Sequence, residues 1–258
     1  MAKRTACLAL CVDVARSCVE NEGITMNTRR DVPAAPARQQ SSAVEAFLAE
    51  ARAIGRPGAG ARGRLVFALD ATLSRQPTWD IACDLQAAMF DAVGEGGLAV
   101  QLVYYRGVGE ARASGWVERA QQLKRLMTRI DCRGGRTQIG RVLEHAESAG
   151  QRAPVAALVF IGDAMEENPD LLADAAARLA LRGTRAFLFQ EGADKAAART
   201  FSEIARLTRG AHLPFDEGSA AGLADLLGSI AAFAGGGFAA LEARGTPGAR
   251  RLLADLGS

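Results

Sequence analysis

The chain has 258 residues, 49% of them hydrophobic and 23% charged, with a formal net charge of +2. That length supports one sizeable core with extensions, and the near balance of charge gives no electrostatic case for binding nucleic acid or a membrane surface. Its basic residues are nearly all arginine, with lysine only at Lys3, Lys124 and Lys195, as expected from base composition rather than from an arginine-built site. Cys7, Cys11, Cys18, Cys83 and Cys132 form neither a disulfide framework nor a paired zinc pattern, so reduced thiols are expected. The apolar run at 6–12 is short for a signal peptide and Asp13 interrupts it. No stretch reads as the ~20 apolar residues of a membrane span. A soluble, cytoplasmic protein is the expectation.

Residues 1–40 have weak periodicity and end in a Pro/Ala/Arg/Gln tract, which predicts a poorly ordered tail, with Met26 as an alternative start to Met1. Within 41–63, Ser42-Ala-Val-Glu45 has capping-box spacing for a short helix, and a Gly/Pro-rich linker follows. From 64 onward strands and helices alternate. Strands are predicted at 65–70, 98–105, 155–162, 185–190 and 211–215, with a short edge strand at 110–114. Helices are predicted at 77–93, 116–130, 138–150, from Asn168-Pro169 to about 183, at 194–208 and at 219–234. Gly235-Gly-Gly should break the last of these, and 238–258 reads as an extension with a further helix. Such alternation favours an α/β fold with a mainly parallel sheet covered on both faces.

In an open sheet of this kind, ligands bind beyond the carboxyl ends of the strands. The first strand ends on Asp70 and then offers Thr72 and Ser74 at alternate positions, a sparse set of hard oxygens. An Asp/Ser/Thr turn capping the next helix is the plain alternative. The strand at 155–162 ends at Asp163, and between the two acids Gly134-Gly135-Arg136-Thr137 presents another hydroxyl from a loop whose glycines permit close approach. Asp70, Thr72, Ser74, Thr137 and Asp163 are thus the candidate metal ligands. Glu166, Glu167 and Asp170 extend an acidic rim or offset the dipole of the helix starting at Asn168. Tyr104, Tyr105, Arg106, Arg75, Arg136 and Gln190-Glu191 stand near the same edge. His145 and His212 are placed neither for a His-rich metal site nor as general bases.

Asp-Ala-Thr-Leu-Ser at 70–74, Gly-Gly-Arg-Thr at 134–137 and Phe-Ile-Gly-Asp at 160–163 resemble, in order, the three parts of the metal-ion-dependent adhesion site (MIDAS) of von Willebrand factor A-type (vWA) domains. Thr72 stands where that family usually has Ser. The likeness spans about 64–234 and is nearest to the stand-alone cytoplasmic bacterial members. It implies a Rossmann-like vWA fold, a mainly parallel sheet of about six strands with one short antiparallel edge strand and helices on both faces. It further implies a protein-binding module rather than an enzyme. Mg²⁺ would be the ion, with Mn²⁺ or Ca²⁺ as alternatives, ligated directly by Thr72 and Ser74 and directly or through water by Asp70 and Asp163. Thr137 would join when a partner's Asp or Glu completes the shell. By the same analogy the partner is an AAA+ ATPase or a chaperone-like factor, not nucleic acid or membrane.

Two rival functions follow from the same residues. A Mg²⁺-dependent phosphoryl-transfer hydrolase would use Asp70 as nucleophile, but Thr72 stands where haloacid-dehalogenase-like enzymes carry a second acid. No phosphate-binding Gly-rich motif follows a strand. The other rival is a metal-free interaction scaffold whose site has degenerated.

Overall fold

Strand β1 (Gly63–Asp70) is the centre of the molecule: its residues from Leu65 to Asp70 are all buried. The computed structural model describes residues 62–72, 76–94, 96–215 and 220–257. The predicted tail and the Ser42–Ile54 helix therefore lie outside the described residues. After β1 come helices α1 (Gln76–Leu85) and α2 (Ala87–Asp91), strands β2 (Leu98–Arg106) and β3 (Glu110–Val117), then α3 (Ala120–Met127) and α4 (Ile139–Arg152). Strand β4 (Ala157–Gly162), α5 (Pro169–Leu181), β5 (Arg185–Glu191), α6 (Lys195–Thr208) and β6 (Ala211–Phe215) follow, and α7 (Ala220–Arg244) and α8 (Pro247–Gly257) close the chain.

The strands form one six-stranded sheet in the order β3-β2-β1-β4-β5-β6. All neighbours are parallel except β3, which runs antiparallel to β2 at one edge. Alternation along β1 divides the core. Leu65, Phe67 and Leu69 pack with Trp79, Met89, Leu123, Leu227 and Ile230 on one face. Val66 and Ala68 pack with Val142, Leu143, Leu172, Phe201 and Ile204 from α4, α5 and α6 on the other. Both faces are covered, as a parallel sheet requires.

Four predicted elements differ. The helix expected at 77–93 is divided at Gln86, where Met89 N bonds to Gln86 O at 3.2 Å and the turn tightens. Trp116, expected to begin a helix, instead extends β3. It pairs with Gln101 of β2, and the Arg64 guanidinium lies 3.8 Å from its ring centroid. At Gly235-Gly-Gly the helical run does not end; the backbone departs from helix at Gly237 (φ 68°, ψ −157°) and the chain coils again to Arg244. Contrary to the sequence reading, α7 is long and apolar enough to cross a membrane by length and composition alone. In the fold it buries Leu223, Leu227, Ile230, Ala231 and Ala234 in the core. Leu241, Ala249 and Leu252 from 235–258 are also fully buried in that core.

Candidate functional site

The strand order reverses at β1. From there the chain builds outward through β2 and β3, then returns to add β4, β5 and β6 on the other side. The carboxyl ends of β1 and β4 consequently lie side by side at the switch point, where a crevice opens in folds of this kind. Leu69 pairs with Ile161, so the next residues, Asp70 and Gly162, are neighbours, and Asp163 follows directly. A carboxylate thus leaves each of two adjacent strands at the same edge.

Asp70 is 4% exposed. Its Oδ1 accepts the Thr72 backbone N–H at 2.7 Å, so Asp70-Ala-Thr72 is a local Asx-type turn, and the Thr72 hydroxyl bonds to the same carboxylate. The turn alternative raised by the sequence is therefore real in its local geometry. Thr72 is itself buried at this edge. Ser74 and Arg75, also drawn from the sequence, lie outside the described residues.

The loop from 131 to 138 is stitched over this edge from two sides. Arg133 N donates to Ala71 O at 2.9 Å, and Arg136 N to Gly107 O at 3.1 Å in the β2–β3 hairpin. Only one of the two glycines meets a steric demand there: a Cβ on Gly135 would sit 2.4 Å from Gly107 N, whereas one on Gly134 would meet nothing within 4 Å. The closure carries Thr137, 8% exposed, onto the segment that follows β4. Thr137 Oγ1 accepts from Glu166 N at 3.0 Å, and Thr137 N donates to Glu166 Oε2 at 3.3 Å. The adjacent Glu167 receives Ile139 N at Oε1 and Gly140 N at Oε2, the latter at 3.0 Å. Glu166 and Glu167 therefore accept N–H groups of the loop before α4 and of the first turn of α4, rather than those of the helix that begins at Asn168. That helix is capped by Asn168 itself, whose Oδ1 accepts Asp170 N at 2.9 Å.

Burial pushes the Asp70 carboxyl up to about 6, offset in part by its bonds to Thr72 and raised further by the charge of Asp163. Tyr105, opposite Asp70 on β2, is fully buried, and its hydroxyl oxygen has no well-formed hydrogen bond. Desolvation, followed by the neighbouring Asp70 carboxylate, holds that phenol well above its usual range. Sequence reasoning placed Tyr105 at the strand end but missed that it faces the acid; the period-2 alternation from Val103 contains that signal. Tyr104 points to the opposite face, edge-on to Trp79. Arg106 Nη1 donates to Asp131 O at 2.8 Å and Nη2 to Glu110 at 3.2 Å, tying the hairpin to the loop. Cys132 is buried beneath the same edge, its thiol pushed up to about 11 by desolvation and then by Asp70.

Among the described residues no three His, Cys, Asp or Glu side chains gather into a metal-binding group. What the edge shows is the Asp70 carboxylate bonded by Thr72 and sensing the charge of Asp163, with the Thr137 hydroxyl held on the segment after β4. Donor chemistry of that kind suits a hard cation and not one seeking thiolate or imidazole. A cation would also relieve the burial of Asp70. The histidines are engaged elsewhere: His145 Nε2 lies 2.9 Å from Gln101 Oε1, and His212 Nε2 lies 2.8 Å from Gln190 Oε1. Glu191, at the end of β5, accepts the Thr78 hydroxyl and fastens α1 to this edge.

No protein-family model matches the sequence, and no curated protein matches it. Solved structures do. A von Willebrand factor type A protein from Catenulispora acidiphila superposes with a TM-score of 0.55 at 21% identity, over 67% of this chain and 42% of that one. An aerotolerance-related membrane protein from Bacteroides fragilis gives 0.51 at 17% identity, over 65% of this chain and 98% of that one. Proximal thread matrix protein 1 from the mussel byssus, with its MIDAS motif occupied by zinc, gives 0.51 at 14% identity, over 66% and 46%. Together with the strand order and the antiparallel edge, these likenesses give this chain the von Willebrand factor A-type fold. The chain spans less than half the length of the Catenulispora protein.

Proposed function

We propose that this chain is a metal-ion-dependent protein-binding module and not an enzyme. Asp70, Thr72, Ser74, Thr137 and Asp163 would hold a divalent cation, Mg²⁺ in the first instance. When bound, the ion would supply an electrophilic position able to accept an acidic side chain from a partner protein. The single observation that carries the proposal is that Asp70 ends β1 and Asp163 directly follows the adjacent β4, near enough for its charge to act on Asp70, at the strand-order switch, with Thr137 fastened to the segment after β4. Support from outside the chain is a shared fold, one example of which has a metal in its MIDAS motif.

Four of the five residues have distinct tasks in this scheme. Asp70 contributes buried negative charge, and Thr72 holds its carboxylate in place. Asp163 adds the second charge from the neighbouring strand. Thr137 contributes a neutral oxygen, so the site keeps enough positive character to attract a carboxylate. A cytoplasmic AAA+ ATPase or a chaperone-like factor is the kind of partner the scheme anticipates. Affinity purification on the immobilised full chain tests it: a specific partner should be retained in Mg²⁺ and lost in EDTA, with Asp70→Ala and with Thr137→Ala. Retention unchanged by EDTA would contradict the proposal.

A further inference from the structure

The outward face of α5 contains two leucines that the fold leaves in solvent: Leu171 is 66% exposed and Leu181 is 87% exposed. Scattered surface leucines need no explanation. Here, however, they belong to a pattern. Ala176, at the middle of the helix, is completely buried and faces the sheet. Leu171 and Asp174 stand five and two residues before it, and Arg178 and Leu181 stand two and five residues after it. At 100° per residue the four side chains fall within a band about 80° wide, centred opposite Ala176, and the leucines are about 15 Å apart along the axis. The band reads Leu-Asp-Arg-Leu, so reversing the helix exchanges leucine for leucine and acid for base.

We propose that this face is a homodimer interface in which α5 packs antiparallel against α5 of a second copy across a twofold axis. Leu171 of each copy then lies level with Leu181 of the other, and Asp174 level with Arg178. An isologous interface requires this self-complementarity. The charges are available for it. Asp174 and Arg178 are one helical turn apart, yet Arg178 turns its Nε to Glu147 Oε2 at 3.2 Å. Asp174 therefore has no ion-pair or hydrogen-bond partner among the described residues. Arg178 uses only Nε of its five donors, and the bond to Glu147 orders its guanidinium. Position favours the contact as well, because α5 is the middle helix of its layer, packed between α4 and α6. Two leucines and one charged pair per copy fall short of the ~800 Å² per partner of a tight interface, so the dimer is weak and depends on concentration. Antiparallel α5 helices point the two Asp70–Asp163 edges to opposite ends, which leaves both accessible.

Sedimentation velocity of the full chain, from micromolar to millimolar concentration, tests the interface. The chain should pass from monomer to dimer. Leu171→Glu with Leu181→Glu should weaken the dimer about tenfold or more, as should Asp174→Arg and Arg178→Asp singly. An equimolar mixture of the two charge reversals should regain it, because every Arg then faces an Asp. Thermal melts accompany each variant; should R178D melt early through its lost bond to Glu147, D174R must still disrupt the dimer. A chain monomeric throughout, a dimer indifferent to the leucine replacements, or a mixture of folded variants no better than either alone would overturn the proposal.

Discussion

At Asp70 the proposed metal-binding role and stability oppose each other. Its carboxyl is raised from 3.8 to about 6 by burial, so the folded chain favours the protonated form. Stability from that preference is fully present below about pH 4 and is lost as pH rises through about 6. At 1.36 kcal/mol per pKa unit, the loss amounts to about 3 kcal/mol. Asp70→Asn retains the Oδ1 acceptor for Thr72 N–H but cannot ionise. Thermal melts in EDTA should therefore find the Asp70→Asn variant more stable than the parent at about pH 8 and equal to it at about pH 4. Asp70, Thr72 and Asp163 were legible as polar groups at the ends of β1 and β4, and Thr137 as a hydroxyl in the loop before α4. The bonds of Thr137 to Glu166 were not, because they join positions 29 residues apart and no local spacing encodes them.

At the scale of elements, the loop from 131 to 138 has no regular structure and is held by what it touches. Ala71, Gly107 and Glu166 fix it from three directions. Glu167 then satisfies the first N–H groups of α4, Ile139 and Gly140, and complements the positive end of its dipole. Glu167→Ala should cost about 1–2 kcal/mol in urea unfolding and speed amide exchange at residues 137–140. Strands β1 and β4 were readable to within two residues because continuous apolar runs ending in acids leave little ambiguity. Edge strand β3 was not: Trp116 suits a helix by pattern, and its place is decided by pairing with Gln101 and by the Arg64 guanidinium over its ring. The divided helix at Gln86 likewise had no punctuating Gly or Pro.

In the whole molecule, the alternation of strand and helix was legible from 64 onward, but the strand order was not, since it depends on pairings between distant segments. The role of the C-terminal segment was hidden for a related reason. Three glycines at 235–237 look like an ending, yet Leu241 and Leu252 beyond them are completely buried beside Leu227 and Ile230. Leu252→Ala should destabilise the domain by about 2–5 kcal/mol in denaturant unfolding. In the proposed function, β1, the loop before α4 and β4 together make one cation site. Isothermal titration calorimetry of Mg²⁺ into the full chain at about pH 8, where Asp70 is ionised, tests for that site. Saturable binding at one site, lost in Asp70→Ala and in Asp163→Ala while both variants still unfold cooperatively, is the predicted result. No binding by the intact chain, or the same binding in both variants, would contradict it.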